Sequence, residues 1–295
     1  MGQGLFTKVA QVVASTFQVD LDNIKISATR TDKVPNTSAT AASSGSDLNG
    51  MAALNAAEII KGRMAGVAAA HFGTSPDKIV FRANRVYSGN ESVSFAELAN
   101  MTYEARESLS AAGYYATPGL HWDTTKLTGN PFYYYTYGVA ASEVVIDTLT
   151  GESRVLRADL LQDVGSSLNP AIDLGQIEGA FVQGQGWLTS EELVWNARGQ
   201  LMTHGPSTYK IPGSRDVPPV FNVHILEDAP NRMPTVFRSK AVGEPPLMLA
   251  ISVWLALRDA VSRIGGHRHF VSLDAPATPE AILRAVDDIR ARDAG

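Results

Sequence analysis

A chain of 295 residues with 44% hydrophobic and 19% charged content is long enough for one large or two modest domains, each with its own core. Its net charge of -5 leaves no basic footprint for nucleic acid. The complete lack of cysteine excludes disulfides, thiolate zinc sites, cysteine nucleophiles and iron–sulfur clusters ligated by this chain. The longest apolar run, Leu247 to Leu257, is too short to span a bilayer, and no secretory signal opens the chain, so a cytoplasmic protein without a membrane partner is expected. The six histidines show no HExxH spacing.

In chain order, Met1-Gly2-Gln3-Gly4 runs into Leu5, Val9, Val12, Val13 and Phe17 at helical spacing: a glycine loop opening a helix with no strand before it. Such a start resembles the middle of a fold. Ile24 and Ile26 predict a short strand. A loop of small and hydroxylated residues, 34–47, feeds an alanine-rich helix from about Leu48 to about Ala70, with Ser46 or Asp47 as natural N-cap. A Ser/Gly loop at a helix start offers N–H groups and hydroxyls to an anion, although flexible surface linkers share that composition. Residues from about 79 to 137 form an outer segment with a helix over Ser94 to Leu109 and an aromatic strand over Phe132 to Tyr137. Val139 to Asp147 and Arg154 to Asp163 predict a hairpin turning at Gly151.

Pro170 suits the first turn of the next helix, in which Gly175, Gly179, Gly184 and Gly186 recur. Glycine costs up to ~1 kcal/mol per helical site, so this density implies close approach of another backbone or a ligand, and Gln183 lies on that stretch. A strand over Val220 to Leu226 follows. Then Glu244-Pro245-Pro246 precedes a run, Leu247 to Val261, that reads as a helix apolar on nearly every side. Glu244 at the mouth of a buried helix feels two opposed effects, a positive helix end and desolvation, which can poise a general base. The plainer reading, a carboxylate that caps its own helix, is favoured on the residues alone. A helix from about Pro279 to about Ala291 closes the chain. The usual nucleotide-loop and serine-hydrolase motifs are absent.

Taken together, MGQGLFTK (1–8), VPNTSATAAS (34–43), DVGSSLNPAI (163–172), GAFVQG (179–184), GPSTYKIP (205–212) and KAVGEPPL (240–247) resemble, in order, the molybdopterin-binding half of the xanthine dehydrogenase family of molybdenum hydroxylases. The resemblance implies an α+β fold with helices packed on mixed sheets. It implies that 1–295 is the C-terminal part of a molybdopterin-binding domain, in two interleaved subdomains, about 1–75 with 240–295 and about 76–239. It further implies oxidative hydroxylation of purines, hypoxanthine to xanthine to urate, with Glu244 as general base on the molybdenum-bound hydroxyl. Gly2, Gln3, Gly4, Thr40, Ala41, Ala42, Ser43 and Gln183 are the implied cofactor contacts, and the metal is held by the pterin dithiolene with no protein ligand.

The pterin is plain molybdopterin or its cytosine dinucleotide form. The 2Fe–2S, FAD and NAD sites belong on partner chains or missing regions. Implied partners are the purine substrate, the N-terminal half of the molybdenum domain and an iron–sulfur/FAD subunit, in an oligomer. The chain alone is then incomplete, with apolar surface exposed where the other half belongs. Ser44-Gly45 departs from the commoner pattern after TAAS. The reading requires Glu244 to be withdrawn from bulk water and the loops to converge. The alternatives are a related aldehyde or N-heterocycle hydroxylase and a non-catalytic fragment with an unfilled site.

Overall fold

The computed structural model describes residues 3–27, 30, 32, 40 and 42–294. The chain folds as two compact units: residues 1–135, 165–169 and 230–241 form unit 1, and residues 136–164, 170–229 and 242–295 form unit 2. Each unit is built from segments that are not contiguous in sequence. Residues 76–135 join the N-terminal helices because their hairpin and helix share a core with them, and 242–295 join the central sheet because their helices supply much of its cover.

In unit 1, α1 (Leu5–Phe17) buries Ala10, Val12, Ala14 and Phe17 and packs against the long α2 (Gly45–Phe72). Strands β1 (Val80–Arg82), β2 (Arg85–Ser88) and β3 (Glu91–Ser94) form an antiparallel sheet in that order. Helix α3 (Phe95–Glu104) follows directly, started by a complete capping box. The Ser94 hydroxyl accepts from Glu97 N (3.1 Å), and a Glu97 carboxylate oxygen accepts from Ser94 N (2.8 Å). Phe17, Met64, Phe81, Val86 and Leu98 fill the core, with Phe17 edge-on to Phe95 at 5.5 Å. A short exposed hairpin, β4 (His121–Asp123) with β5 (Thr128–Asn130), lies beyond.

Two expected strands of unit 1 do not form. Leu21–Asn23 is a 3-10 turn, and residues 24–27 carry no regular structure. Residues 132–135 of the aromatic run pair with no strand. Phe132 and Tyr135 face solvent, while Tyr134 turns inward to a polar partner, so side-chain chemistry displaces the ladder.

Unit 2 is a three-stranded sheet, β6 (Gly138–Ile146), β7 (Ser153–Gln162) and β8 (Val220–Ile225), in that order. The expected hairpin β6–β7 is antiparallel with a bulge at Glu143/Val144. β7 and β8 run parallel, which requires a long connection, and α4 (Pro170–Thr189) provides part of it. A 3-10 helix, Pro245–Ala250, continues as α5 (Ile251–Ile264), and α6 (Pro279–Ala294) closes the unit. The core joins Leu160, Ile177, Phe181, Val253, Leu257, Val261, Ile282 and Ile289. The expectation of a helix apolar all round is corrected: Val253, Leu257 and Val261 face inward at four-residue spacing, whereas Met248, Ile251 and Leu255 are exposed. Among the described residues, no helix is long and apolar enough to cross a membrane.

The glycines of α4 divide by environment. A Cβ on Gly184 would lie 2.5 Å from the Leu247 carbonyl and 2.8 Å from Ala250 Cβ, so the 3-10 helix seats against α4 only where residue 184 has no side chain. A Cβ on Gly175 or Gly179 would meet nothing within 4 Å. Close approach therefore accounts for Gly184 and, against Pro212, for Gly186, but not for the other two. Gly184→Ala should destabilise the chain by about 1–3 kcal/mol through overpacking. Gly175→Ala should stabilise it by up to ~1 kcal/mol through helix propensity. Denaturant midpoints of the two variants check this, and equal shifts would contradict it.

Candidate functional site

Gln3, Gly4, Thr40 and Ser43 belong to unit 1, Gln183 and Glu244 to unit 2, and each group is described within its own unit. Gly2 and Ala41 lie outside the described residues, as do residues 33–39 of the loop, and the Ala42 side chain is likewise not described.

In unit 1 the starts of α1 and α2 lie side by side. A Cβ on Gly45 would be 2.9 Å from Leu5 Cδ2 and 3.1 Å from Thr40 Cγ2, so the glycine lets the loop, α1 and α2 close up. Gly4 precedes α1 in the left-handed region (φ 72°), and no side chain caps that helix. Residues Ala42–Ser44 form a 3-10 turn into α2, whose N-cap, Ser44, also makes no side-chain cap bond. Two helix starts without side-chain caps thus present N–H groups close together, in contrast to the fully capped α3. Gln3 Oε1 is shielded from solvent and has no hydrogen-bond partner among the described residues, a state that costs about 1–3 kcal/mol unless another group supplies a donor.

Asp47, expected as a cap, instead lies in the first turn of α2 and directs its carboxylate inward. The Tyr134 hydroxyl donates to Asp47 Oδ2 (2.5 Å) and accepts from the Ala241 N–H (2.8 Å). Asp47 Oδ1 is buried without a partner among the described residues. Burial pushes the Asp47 carboxyl up to about 6, against the lowering effects of the Tyr134 hydrogen bond and of Lys8 on α1. Burial and the Asp47 charge drive the Tyr134 phenol well above its ordinary range, so it remains a neutral donor. Sequence reading missed this pair because its members are 87 residues apart.

The segment that follows Asp163 is strapped to the one that ends at Ala241. Ser166 N donates to Arg238 O (2.9 Å), and a Cβ on Gly165 (φ 63°) would sit 2.5 Å from that oxygen. Asn231 Nδ2 and the Thr235 hydroxyl both donate to Ser239 O, at 3.1 and 2.6 Å. Elsewhere in unit 1 a groove of about 720 Å³, bordered by Gln11, Asp20, Arg82, Ser167 and Phe237, includes none of the expected site residues.

In unit 2 Glu244 immediately precedes the 3-10 helix and makes no side-chain capping bond to it, so the plain capping role is not observed. Val242, Pro246 and Ala250 turn into the core, which directs Glu244 outward: it is exposed in this chain, and the expected desolvated setting is corrected. Gln183 is also exposed on α4. Its neighbour Gln185 is buried, donating from Nε2 to Asp216 O (2.8 Å), with Oε1 unpartnered. Among the described residues, no group of three or more His, Asp or Glu side chains could hold a metal ion. The donor set consists of amides, hydroxyls and carboxylates.

The raised Asp47 pKa fixes a pH dependence. A carboxyl that holds its proton more tightly when folded stabilises the fold below about pH 4, and that contribution is lost as pH rises through about 6. The unfolding free energy of the wild type should therefore fall by up to roughly 3 kcal/mol over this window. Asp47→Asn should remove that component. Urea unfolding at several pH values measures it, and identical profiles for the two proteins would exclude it.

A family model for the molybdopterin cofactor-binding domain matches residues 1–218. The chain is 47% identical over 288 residues to xanthine dehydrogenase of Dictyostelium discoideum, and 45% identical over 294 residues to xanthine dehydrogenase/oxidase of Mus musculus. These matches cover 96% and 98% of this chain but 20% of each relative, so the chain spans about a fifth of the length of the curated relatives it matches. The solved quinoline 2-oxidoreductase of Pseudomonas putida 86 superposes with a TM-score of 0.78 at 26% identity, over 97% of this chain and 35% of that one. With an α+β fold of helices on mixed sheets and a match over most of its length, the chain belongs to the molybdopterin cofactor-binding domain family of molybdenum hydroxylases.

Proposed function

We propose that this chain is the part of a xanthine dehydrogenase-type molybdenum oxidoreductase that cradles the pterin and supplies the general base for hydroxylating purines, hypoxanthine to xanthine to urate. The observation that carries this reading is the 45–47% identity to xanthine dehydrogenases along almost the whole chain. The residues of unit 1 fit the cofactor: molybdopterin offers N–H donors on its pterin ring and a phosphate on its side chain, and among the described residues Gln3 Oε1 lacks a donor while two helix starts lack side-chain caps. Gly2, Gln3, Gly4 and the loop Thr40, Ala41, Ala42, Ser43 would hold it, and Gln183 would add an amide contact. When bound, the molybdenum cofactor supplies the two-electron oxidation of the substrate carbon, and its dithiolene asks no thiolate of a chain without cysteine.

Glu244 takes the proton released from the attacking oxygen nucleophile. An exposed carboxylate is a poor base for a water-excluding reaction, so the reading requires sequence outside this chain to cover it. Iron–sulfur, FAD and NAD sites, and the cytoplasmic and oligomeric setting, belong to the same proposal. A second reading, hydroxylation of another N-heterocycle, is favoured by the likeness to quinoline 2-oxidoreductase.

In the molybdenum-loaded enzyme, Glu244→Gln should lower xanthine turnover by more than ~10²-fold with metal content unchanged. Near wild-type turnover would remove Glu244 from its role. Xanthine turnover below that of quinolines or aldehydes would favour the second reading.

A further inference from the structure

The path Ala241 N–H to Tyr134 hydroxyl to Asp47 carboxylate joins three parts of unit 1 that lie 107 and 87 residues apart in sequence. It has a direction. A tyrosine hydroxyl carries one proton, and with that proton committed to Asp47 its lone pairs are left to accept from Ala241. The neighbouring residues repeat the attachment, because Lys240 Nζ donates to the Tyr135 carbonyl (3.0 Å). Two successive residues, 240 and 241, are thus held by two successive residues, 134 and 135. The titratable groups that face Asp47 are Lys8 from α1, Tyr134, and Tyr115. Ala241 ends unit 1, and Glu244 stands three residues further along the chain.

We propose that Tyr134 and Asp47 are positioning residues: together they clamp residues 240 and 241 to the first turn of α2 and so fix the point from which the chain runs on to Glu244. The proposal rests on the assignment of Glu244 as the base. It gives the partly buried Asp47 carboxylate a role through its Oδ2, which accepts from Tyr134. Anchoring by a carboxylate gives the clamp a charge-assisted bond, about twice as strong as a neutral one.

Residue-resolved amide exchange in this chain tests the clamp. Tyr134→Phe should speed exchange at Ala241 at least about tenfold while Met64 and Ala68, in the α2 core, keep wild-type rates. Asp47→Ala should act in the same way, and Asp47→Asn, whose amide oxygen still accepts from Tyr134, should restore protection. If Tyr134→Phe does not fold, the Ala and Asn variants decide the matter alone. Unchanged exchange at Ala241, or a uniform loss across unit 1 without rescue by Asn, overturns the proposal. In the complete molybdenum-loaded enzyme, Tyr134→Phe should lower kcat at least about tenfold with KM and metal content near wild type. An unchanged kcat with Ala241 released overturns the positioning role and leaves the base assignment standing. Full activity of Glu244→Gln overturns the base assignment and leaves the exchange result standing.

Discussion

The contact of Gly45 with Leu5 is the constraint on which the unit 1 site depends. With only a glycine at residue 45, where a Cβ would stand 2.9 Å from Leu5 Cδ2, the loop that ends at Ser44 can lie against the start of α1, and two helix N-termini share one neighbourhood. A methyl group there would have to displace both a leucine and a threonine side chain. The summed effect of two adjacent helix starts is a set of N–H groups whose dipoles favour negative charge, placed where no side-chain oxygen of their own occupies them. The same proximity brings Lys8, buried on the second turn of α1, within electrostatic reach of Asp47.

Unit 1 keeps polar atoms where an optimised core would have none. Gln3 Oε1 and Asp47 Oδ1 are shielded and find no partner among the described residues, and residues 231–239 are braced by a side-chain network on the Ser239 carbonyl. Stability alone would select apolar replacements for the first two. Their retention is understandable if the surface is completed by a ligand or by further protein. Unit 2 shows the same trait in apolar form: Met248, Ile251 and Leu255 leave a stripe uncovered on the side opposite the one that Val253, Leu257 and Val261 bury.

Much of this architecture was legible in local sequence. Period and punctuation located α1, α4, α6 and the β6–β7 hairpin, because Pro170 and Pro279 occupy first turns and Gly151 takes a left-handed turn conformation. What failed did so for long-range reasons. The aromatic run 132–135 has strand composition, yet Tyr134 finds its partner in a helix 87 residues earlier and the run pairs with nothing. The apolar run after Glu244 reads as uniformly buried because sequence records hydrophobicity and not which face a neighbouring element covers. Of the candidate site, Gln3 and Gly4 were legible as a glycine loop opening a helix. Asp47 was legible only as a cap, and Tyr134 was legible only as packing.

The exposure of Glu244 bears most directly on how such a site operates. A carboxylate in water is stabilised by solvent and has little drive to take a proton from an oxygen nucleophile, whereas one enclosed by low-dielectric walls is more basic. Here the wall on one side is present: Val242, Pro246 and Ala250 are packed inward, and the absence of a side chain at Gly184 lets the 3-10 helix press against α4. The acid therefore stands on a backbone packed into the core of unit 2, with its side chain exposed. The backbone that aims the carboxylate is held by this chain, whereas the cover that the proposed base role requires is not part of it. Under that proposal, a cover without the mount would enclose a misplaced carboxylate, and the mount without a cover leaves it in water.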